Sequence, residues 1–264
     1  MALVPISRDL HAKTKIRPLP SFAFAAGTTV APVYGSEVVA MGYEVPIVFV
    51  RDASGFAPAA LLGLRGGQNL LVDPQGRWIG AHIPAIWRRG PFRLAQVDGQ
   101  KDGQMVLCLD DSDAMVNEAE GMPLFDETGA PMPIIESASS MLTQIERDSR
   151  TTRAICALLN RLELLAPWNL DITQPDGTKQ RVSDLFQVDE AKIATLSAEA
   201  LAELRDAAAL PVIYAHLLSL AKVNILARLS KLADDRAKQQ AAVQRGNLNL
   251  DHSFGIVEDD PFLF

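Results

Sequence analysis

The chain has 264 residues, of which 48% are hydrophobic and 22% charged, with a formal net charge of −7. This is an ordinary globular balance in a chain long enough to bury a substantial core, as one large domain or as two packed lobes. No window approaches the roughly 18 uninterrupted apolar residues that span a bilayer, and residues 1–20 carry charges and prolines where a secretion signal has its apolar core. We therefore expect a cytoplasmic protein without a transmembrane segment.

The charge is unevenly distributed along the chain. Residues 1–100 contain 10 Lys and Arg against 6 Asp and Glu, whereas residues 101–264 contain 15 against 26. A basic half joined to an acidic half suggests an anionic ligand or partner for the first half. The alternative is that the two halves neutralise each other across their own interface. Nucleic acid is not an expected partner, because the sequence has no long Lys/Arg stripe, recognition helix or zinc knuckle.

The first predicted lobe, residues 1–115, is rich in β-structure. Residues 1–105 hold 12 of the 17 glycines and 9 of the 16 prolines, with short apolar runs between them. The turns between these runs are too short for crossover helices, so we expect a mainly antiparallel sheet. The runs that predict strands are 46–50, 57–64, 69–72, 92–97 and 105–110.

A mainly helical lobe, residues 134–245, is predicted after an acidic connector, residues 116–133. The apolar residues of this lobe recur at helical spacing, for example at Leu142, Ile145, Ile155, Leu159 and Leu162. Within the lobe, residues 168–186 predict a short hairpin with a Pro-Asp-Gly turn. Ser197 is a predicted helix cap.

The longest helix is predicted from about Pro211 to Gln244. Its first half is apolar nearly all round, which is typical of a helix inside a core. Residues 246–264 follow as an acidic-aromatic tail, a composition typical of segments that a partner orders. The predicted fold class is therefore α+β: a Gly/Pro-rich, mainly antiparallel β lobe packed against a helical lobe with one long buried C-terminal helix.

Known catalytic and cofactor motifs are absent from the sequence. The glycines of residues 63–68 predict a turn rather than a phosphate-binding loop, and no serine-nucleophile elbow is present. Asp110, Asp111 and Asp113 follow a predicted strand and have the oxygen ligands that a hard divalent cation prefers. A solvated loop is the favoured reading of these three carboxylates, so we expect no metal and no cofactor.

Tyr214 and His216 form a second candidate site near the start of the longest predicted helix. The two residues are two positions apart on a helix, so their side chains point about 200° from each other. They therefore cannot form one site by themselves. The favoured interpretation is that both side chains are buried with their polar groups hydrogen-bonded. The alternative is a role in proton transfer.

The stretch "GRWIGAHIPAIWRRGPF", residues 76–92, is the principal candidate site and is called the Trp/Arg segment below. It contains two of the three tryptophans of the chain. Pro84 in the first position of a short helix favours packing of Ile83, Ile86 and Trp87, with Arg88 and Arg89 directed to solvent or to a carboxylate. Because Trp and Arg are enriched at the energetic centres of interfaces, the segment predicts either a binding surface or the rim of a core. Its candidate binding residues, for a partner or an anionic ligand, are Arg77, Trp78, His82, Trp87, Arg88, Arg89 and Phe92.

Several collinear sequence blocks lie between about Val4 and Arg228. They are "PIVF", "ALLGLRGGQNLLVDPQGRW", "IPA…RRGPF", "LCLDDSD", "EGMPLFDETGAP" and "DLFQVDEAKIATL…IYAHLLSLAKV". In this order they resemble the SapC family of bacterial proteins. The family is named for a gene that lies beside S-layer export genes, and its proteobacterial members often neighbour TonB-dependent receptors, tryptophan-halogenase-like enzymes and cupin-like oxygenases. No established active site comes with the family. Its members tend to have aromatic residues at the positions of His82 and Gly90, which argues against His82 as an essential base.

The resemblance implies a non-catalytic accessory protein that binds a modifying enzyme, halogenase-like or cupin-like, or a component of an outer-membrane transport system. Two alternatives stay open. One is an enzyme of unrecognised type, which a deep cleft lined by Arg77, His82 and carboxylates would favour. The other is an S-layer-associated protein exported by a type I system, for which the only sequence support is the ending "EDDPFLF".

Overall fold

A computed structural model of the chain describes residues 3–53, 55–96, 105–173 and 179–253. The strands are β1 (Leu3–Pro5), β2 (Lys15–Ile16), β3 (Val30–Pro32), β4 (Ile47–Asp52), β5 (Gly55–Leu61), β6 (Phe92–Gln96), β7 (Met105–Asp110), β8 (Val116–Asn117), β9 (Met122–Pro123), β10 (Leu165–Pro167), β11 (Leu170–Thr173), β12 (Lys179–Val182) and β13 (Leu185–Val188). The helices are α1 (Arg8–His11), α2 (Gly35–Gly42), α3 (Ala85–Arg88), α4 (Pro133–Arg161), α5 (Glu190–Ile193), α6 (Ala198–Asp206), α7 (Ala209–Ser219) and α8 (Val223–Ser253).

The largest sheet has five antiparallel strands in the order β10-β13-β4-β5-β3. Its centre is a hairpin in which Val48 of β4 lies opposite Ala59 of β5, and β13 joins the other edge of β4, with Leu185 opposite Val50. The sheet therefore combines strands from both predicted lobes. Its central side chains Val48, Phe49 and Ala60 are fully or almost fully buried, in keeping with the nearly continuous apolar runs of β4 and β5.

A second, three-stranded antiparallel sheet has the order β1-β7-β6 and covers a smaller core. This core contains Ile16, Phe92, Leu109, Leu124 and Leu142, so it too draws on residues from both sides of the acidic connector. The connector itself supplies β8 and β9, which pair with β2. The change of hydrophobic period after the connector thus marks the start of the long helix α4 and not a boundary between two cores.

Helix α4 extends from one core to the other. It has 29 residues, which corresponds to about 44 Å. Its first half packs Ala138 and Leu142 into the smaller core, and its second half packs Ile155 and Leu159 into the larger one. Between these halves, the Thr152 hydroxyl accepts a hydrogen bond from the Gly35 N–H at the start of α2, at 2.7 Å.

The α+β fold is confirmed, with antiparallel sheets and a long C-terminal helix. The hairpin is present as β11 paired with β12, although its predicted turn lies outside the described residues. Ser197 caps α6 by accepting a hydrogen bond from the Ala200 N–H. The strand predicted at 69–72 is wrong: the Asn69 side chain bonds to the Leu71 N–H and to the Ala25 carbonyl, which holds this run in a loop with only an isolated bridge between Val72 and Trp78.

The long C-terminal helix differs from the prediction in continuity and burial. A 3-10 turn, Leu220–Lys222, separates α7 from α8, and α8 continues to Ser253, so the first part of the predicted tail is helical. Val212, Ile213 and Leu226 are buried, but 77% of Leu218 is exposed. The expected all-round burial is therefore limited to one face. The helical run Ala209–Gln240 is long and apolar enough to cross a membrane, a test that core helices of soluble proteins also pass.

His216 joins α7 to the largest sheet. It is fully buried; its Nδ1 lies 2.8 Å from the Ile47 carbonyl oxygen, and its Nε2 accepts a hydrogen bond from the Val188 N–H at 3.0 Å. The imidazole thus connects β4 and β13 at the point where the backbone pairing between these two strands ends. Ser219, one turn later, accepts from the Ile47 N–H at 2.8 Å. This arrangement requires a neutral ring with the proton on Nδ1, and burial lowers the pKa of His216 to about 4.

This histidine should make the protein less stable in acid. The unfolded chain takes up a proton at His216 below pH about 6.5, whereas the folded protein does so only near pH 4. The contribution of the group is complete above pH about 6.5 and falls by about 3 kcal/mol as the pH decreases to 4. We expect urea unfolding of the wild type to show this loss, and the His216→Gln variant to show a flatter pH dependence. Parallel pH profiles of the two proteins would contradict the assignment.

Candidate functional site

The Trp/Arg segment is attached to α2 by a buried carboxylate, Glu37. This side chain is 4% exposed and lies in the first turn of α2, where a negative charge interacts favourably with the helix dipole. Its Oε1 accepts hydrogen bonds from the Ala85 N–H at 2.6 Å and from Arg88 Nη2 at 3.1 Å. His82 Nε2 lies 3.1 Å from the same oxygen. Glu37 therefore fixes both α3 and the loop before it.

A second carboxylate on α2's C-terminal side, Glu44, holds the preceding loop. It accepts hydrogen bonds from the Ala81 N–H at 2.7 Å and the His82 N–H at 2.8 Å. The loop approaches so closely that a Cβ on Gly80 would lie 2.7 Å from Glu44 Oε2 and 2.9 Å from Trp78 Nε1. Only glycine fits there without displacing these partners.

The two tryptophans of the segment belong to a half-buried aromatic cluster. Trp78 and Trp87 pack edge to face with ring centroids 5.4 Å apart, and the Trp78 Nε1–H donates to the His82 carbonyl at 3.0 Å. Phe22 contacts Trp78, and Phe24 contacts Trp87. Phe24 is 60% exposed, so the cluster reaches the surface although both tryptophans pack against the larger core.

The arginines of the segment have different environments. Arg77 forms an ion pair with Asp73 at 2.7 Å; hydrogen bonds from the Arg77 backbone and side chain lower the pKa of Asp73. Arg88 is paired with Glu37. Arg89 has no ion-pair partner among the described residues, and its Nε–H is buried without a hydrogen-bond acceptor there. Burial, together with the positive charge of Arg89, lowers the pKa of Arg93.

Arg88 and Arg89 lie at the edge of an apolar groove of about 500 Å³. One face of α4 lines it with residues 134, 137, 138 and 141, which share a side of the helix. Arg17 completes the positive edge. We call this feature the arginine-rimmed groove; no acidic residue lines it in the described part of the chain. Its main apolar lining residues are Ile16, Phe92, Met115, Met122, Ile134 and Met141.

The structure brings only some of the predicted site residues together. Arg88, Arg89 and Phe92 line the groove. Trp78, His82 and Trp87 do not line it. Arg77 is 74% exposed at its ion pair with Asp73. Neither Arg77 nor His82 lines this groove or two others of comparable size that lie beside α8.

The two other candidate sites have structural explanations. Tyr214 is 51% exposed while His216 is buried, so they lie on opposite sides of α7 and share no site. Asp110 accepts from the Ser112 hydroxyl and N–H, and Asp113 from the Met115 N–H, which shapes a turn. Within the described residues, no group of three or more His, Cys, Asp or Glu side chains is arranged to hold a metal ion.

Comparison with known protein families gives a match over residues 6–226 to the SapC model. The chain belongs to the SapC family. Comparison with curated proteins and with solved structures gives no match. In this SapC protein the matched region contains the whole Trp/Arg segment, both cores and the arginine-rimmed groove, and it ends within α8.

Sequence reasoning missed several residues of the site. Glu37 and Glu44 are about 40 residues from the loop that they hold, and no local pattern relates them to it. Met115, Met122 and Met141 gave no signal, because they belong to three separate elements.

The two neighbouring arginines should differ in their effect on stability. Arg88→Ala removes a partner of the buried Glu37 carboxylate and should cost about 1–3 kcal/mol. Arg89→Ala, the matched control, removes no ion pair of the described chain and should stay within about 0.5 kcal/mol of the wild type. Urea unfolding at neutral pH measures both. Equal losses would show that Glu37 does not depend on Arg88.

Proposed function

We propose that this SapC-family protein is a non-catalytic accessory protein that binds a protein partner in the arginine-rimmed groove. The observation that carries the proposal is the position of Arg89, an uncompensated cation at the edge of an otherwise apolar groove. Because no carboxylate of the described chain pairs with Arg89, this side chain can bind an incoming carboxylate without giving up an existing ion pair.

The chemistry of the groove fits a peptide segment with both acidic and apolar side chains. Methionine is flexible and polarisable, and surfaces rich in it adapt to different partners. Three methionines line the groove, and Met122 is 53% exposed. Arg17, Arg88 and Arg89 at the edge would attract carboxylates and set the direction in which the segment lies.

The reactive groups outside the groove support a binding role rather than catalysis. Burial raises the pKa of the Cys156 thiol to about 12 and also raises that of Cys108, so neither is a ready nucleophile. His216 is fully occupied by two backbone groups. The partly exposed His82 contacts the buried Glu37, and Glu37 is engaged in holding α3.

The nature of the partner follows from the family resemblance. We propose a modifying enzyme, halogenase-like or cupin-like, or a component of an outer-membrane transport system, and we place the complex in the cytoplasm. Export by a type I system to an S-layer remains the competing proposal for location. Both proposals for the location require an acidic segment in the partner, because the groove has a positively charged edge.

Capture from the native bacterium tests the proposal. Tagged full-length protein and its Arg89→Gln variant should be purified with their partners, which mass spectrometry identifies. A partner must then be made separately and titrated calorimetrically at about 50 mM and about 300 mM NaCl. We expect Arg89→Gln to bind roughly tenfold more weakly at low salt and to show a smaller salt dependence than the wild type.

The matched control is Arg205→Gln, which removes the same charge from α6, away from the groove. It should bind as the wild type does. If Arg89→Gln retains full affinity, or if both variants lose it equally, the groove is not the binding site.

A further inference from the structure

We infer that residues 254–264 of this chain, "FGIVEDDPFLF", occupy the arginine-rimmed groove when no partner is bound and so compete with it. The inference rests on the proposed function, because it assigns a regulator to the same site. The segment follows directly after the last described residue of α8, Ser253, and it combines the two properties that the groove selects.

The first property is charge. Glu258, Asp259 and Asp260 form a run of three acids, and three arginines edge the groove. Of these, Arg17 has a neighbouring carboxylate at 3.5 Å on an exposed Glu120, a weak contact that a competing anion can replace. Arg89 has none in the described chain. Arg88 is already paired with the buried Glu37, so Arg89 is the arginine most available to the acids. Arginine and carboxylate can pair through two parallel hydrogen bonds.

The second property is the apolar character on both sides of the acids. Phe254, Ile256 and Val257 precede the run, and Phe262 and Leu263 follow Pro261. Aromatic and branched side chains of this kind fill apolar grooves, and the flexible methionine side chains of this groove adapt to them.

The groove beside α8 is a poorer site for the same segment. It is similar in volume, about 500 Å³, but it has a single arginine, Arg236, and a carboxylate, Asp73. A run of three acids would meet repulsion there. Charge therefore selects the arginine-rimmed groove although the other one lies against α8 itself.

Occupancy by the same chain is favoured over a second copy by tethering. A linked segment has an effective concentration in the millimolar range, above the concentration of free protein in ordinary solutions. The acidic run lies five to seven residues beyond Ser253, so it can reach up to about 23 Å from the end of α8. A partner must displace this segment, so weakening the segment should strengthen the partner's apparent affinity.

Methionine methyl signals of the full-length protein test this inference directly. The protein should be labelled with ¹³C-methyl methionine, and the wild type compared with a variant carrying Glu258→Gln, Asp259→Asn and Asp260→Asn. We expect the signals of Met115, Met122 and Met141 to shift in the variant. Met41, which is fully buried in the larger core, should not shift and serves as the internal control.

A synthetic peptide of residues 254–264 should then return the three signals of the variant towards their wild-type positions. A peptide with the three acids replaced by amides should bind at least roughly tenfold more weakly. Unchanged signals in the variant, together with no response to the acidic peptide, would overturn the inference. A wild-type spectrum that changes on dilution would also overturn it, because it would assign the groove to a second copy.

The outcome can be separated from that of the proposed function. If the methionine signals do not change with the acidic segment or the peptide, while Arg89→Gln still binds the partner more weakly, only the inference fails. If Arg89→Gln binds its partner normally while the acidic peptide moves the three signals, the proposed function fails and the groove is a site for this segment alone.

Discussion

A single buried carboxylate, Glu37, determines where the Trp/Arg segment lies. Its Oε1 meets the Ala85 N–H, the Arg88 guanidinium and the His82 ring, while its Oε2 accepts from the Tyr34 N–H at the start of its own helix. A carboxylate taken out of water is stable only when its oxygens are satisfied in this way. The position of α3, and with it one wall of the arginine-rimmed groove, depends on this network. The stability of this region and the shape of the groove therefore both depend on Glu37, although Glu37 does not itself line the groove.

Strong local patterns made much of the fold predictable. The apolar runs that became β4, β5, β6 and β7, and the Ser197 cap, each depend on residues close together in sequence. Residues 69–72 form a loop instead of the predicted strand, because hydrogen bonds of the Asn69 side chain, rather than the apolar pattern, determine the backbone conformation there. Residues of both predicted lobes contribute to each of the two cores. Strand β13 pairs with β4, and helix α4 packs into both cores. Hydrophobic period identifies the type of an element but not its neighbours in space.

The candidate site was predictable only in part, for the same reason. Arginine and tryptophan content drew attention to residues 76–92, yet the sequence treated Arg88 and Arg89 alike. Their difference arises from Glu37, 51 residues from Arg88. Ile16, Met115 and Met141, which face one another across the groove, come from a short strand, a loop and a helix. Such a juxtaposition is a property of tertiary packing, and no spacing along the chain reports it.

The length of α4 has a further consequence. Because this helix is continuous, its first turns belong to the groove through Ile134 and Met141, and its last turns belong to the larger core through Ile155 and Leu159. A helix opens cooperatively, so a ligand that immobilises the first turns also slows the opening of the turns beyond them. Amide hydrogens around Cys156, about four turns beyond the last lining residue Met141, should then exchange more slowly with solvent whenever the groove is filled. The helix would transmit occupancy of the surface to the interior without any change in the positions of its atoms.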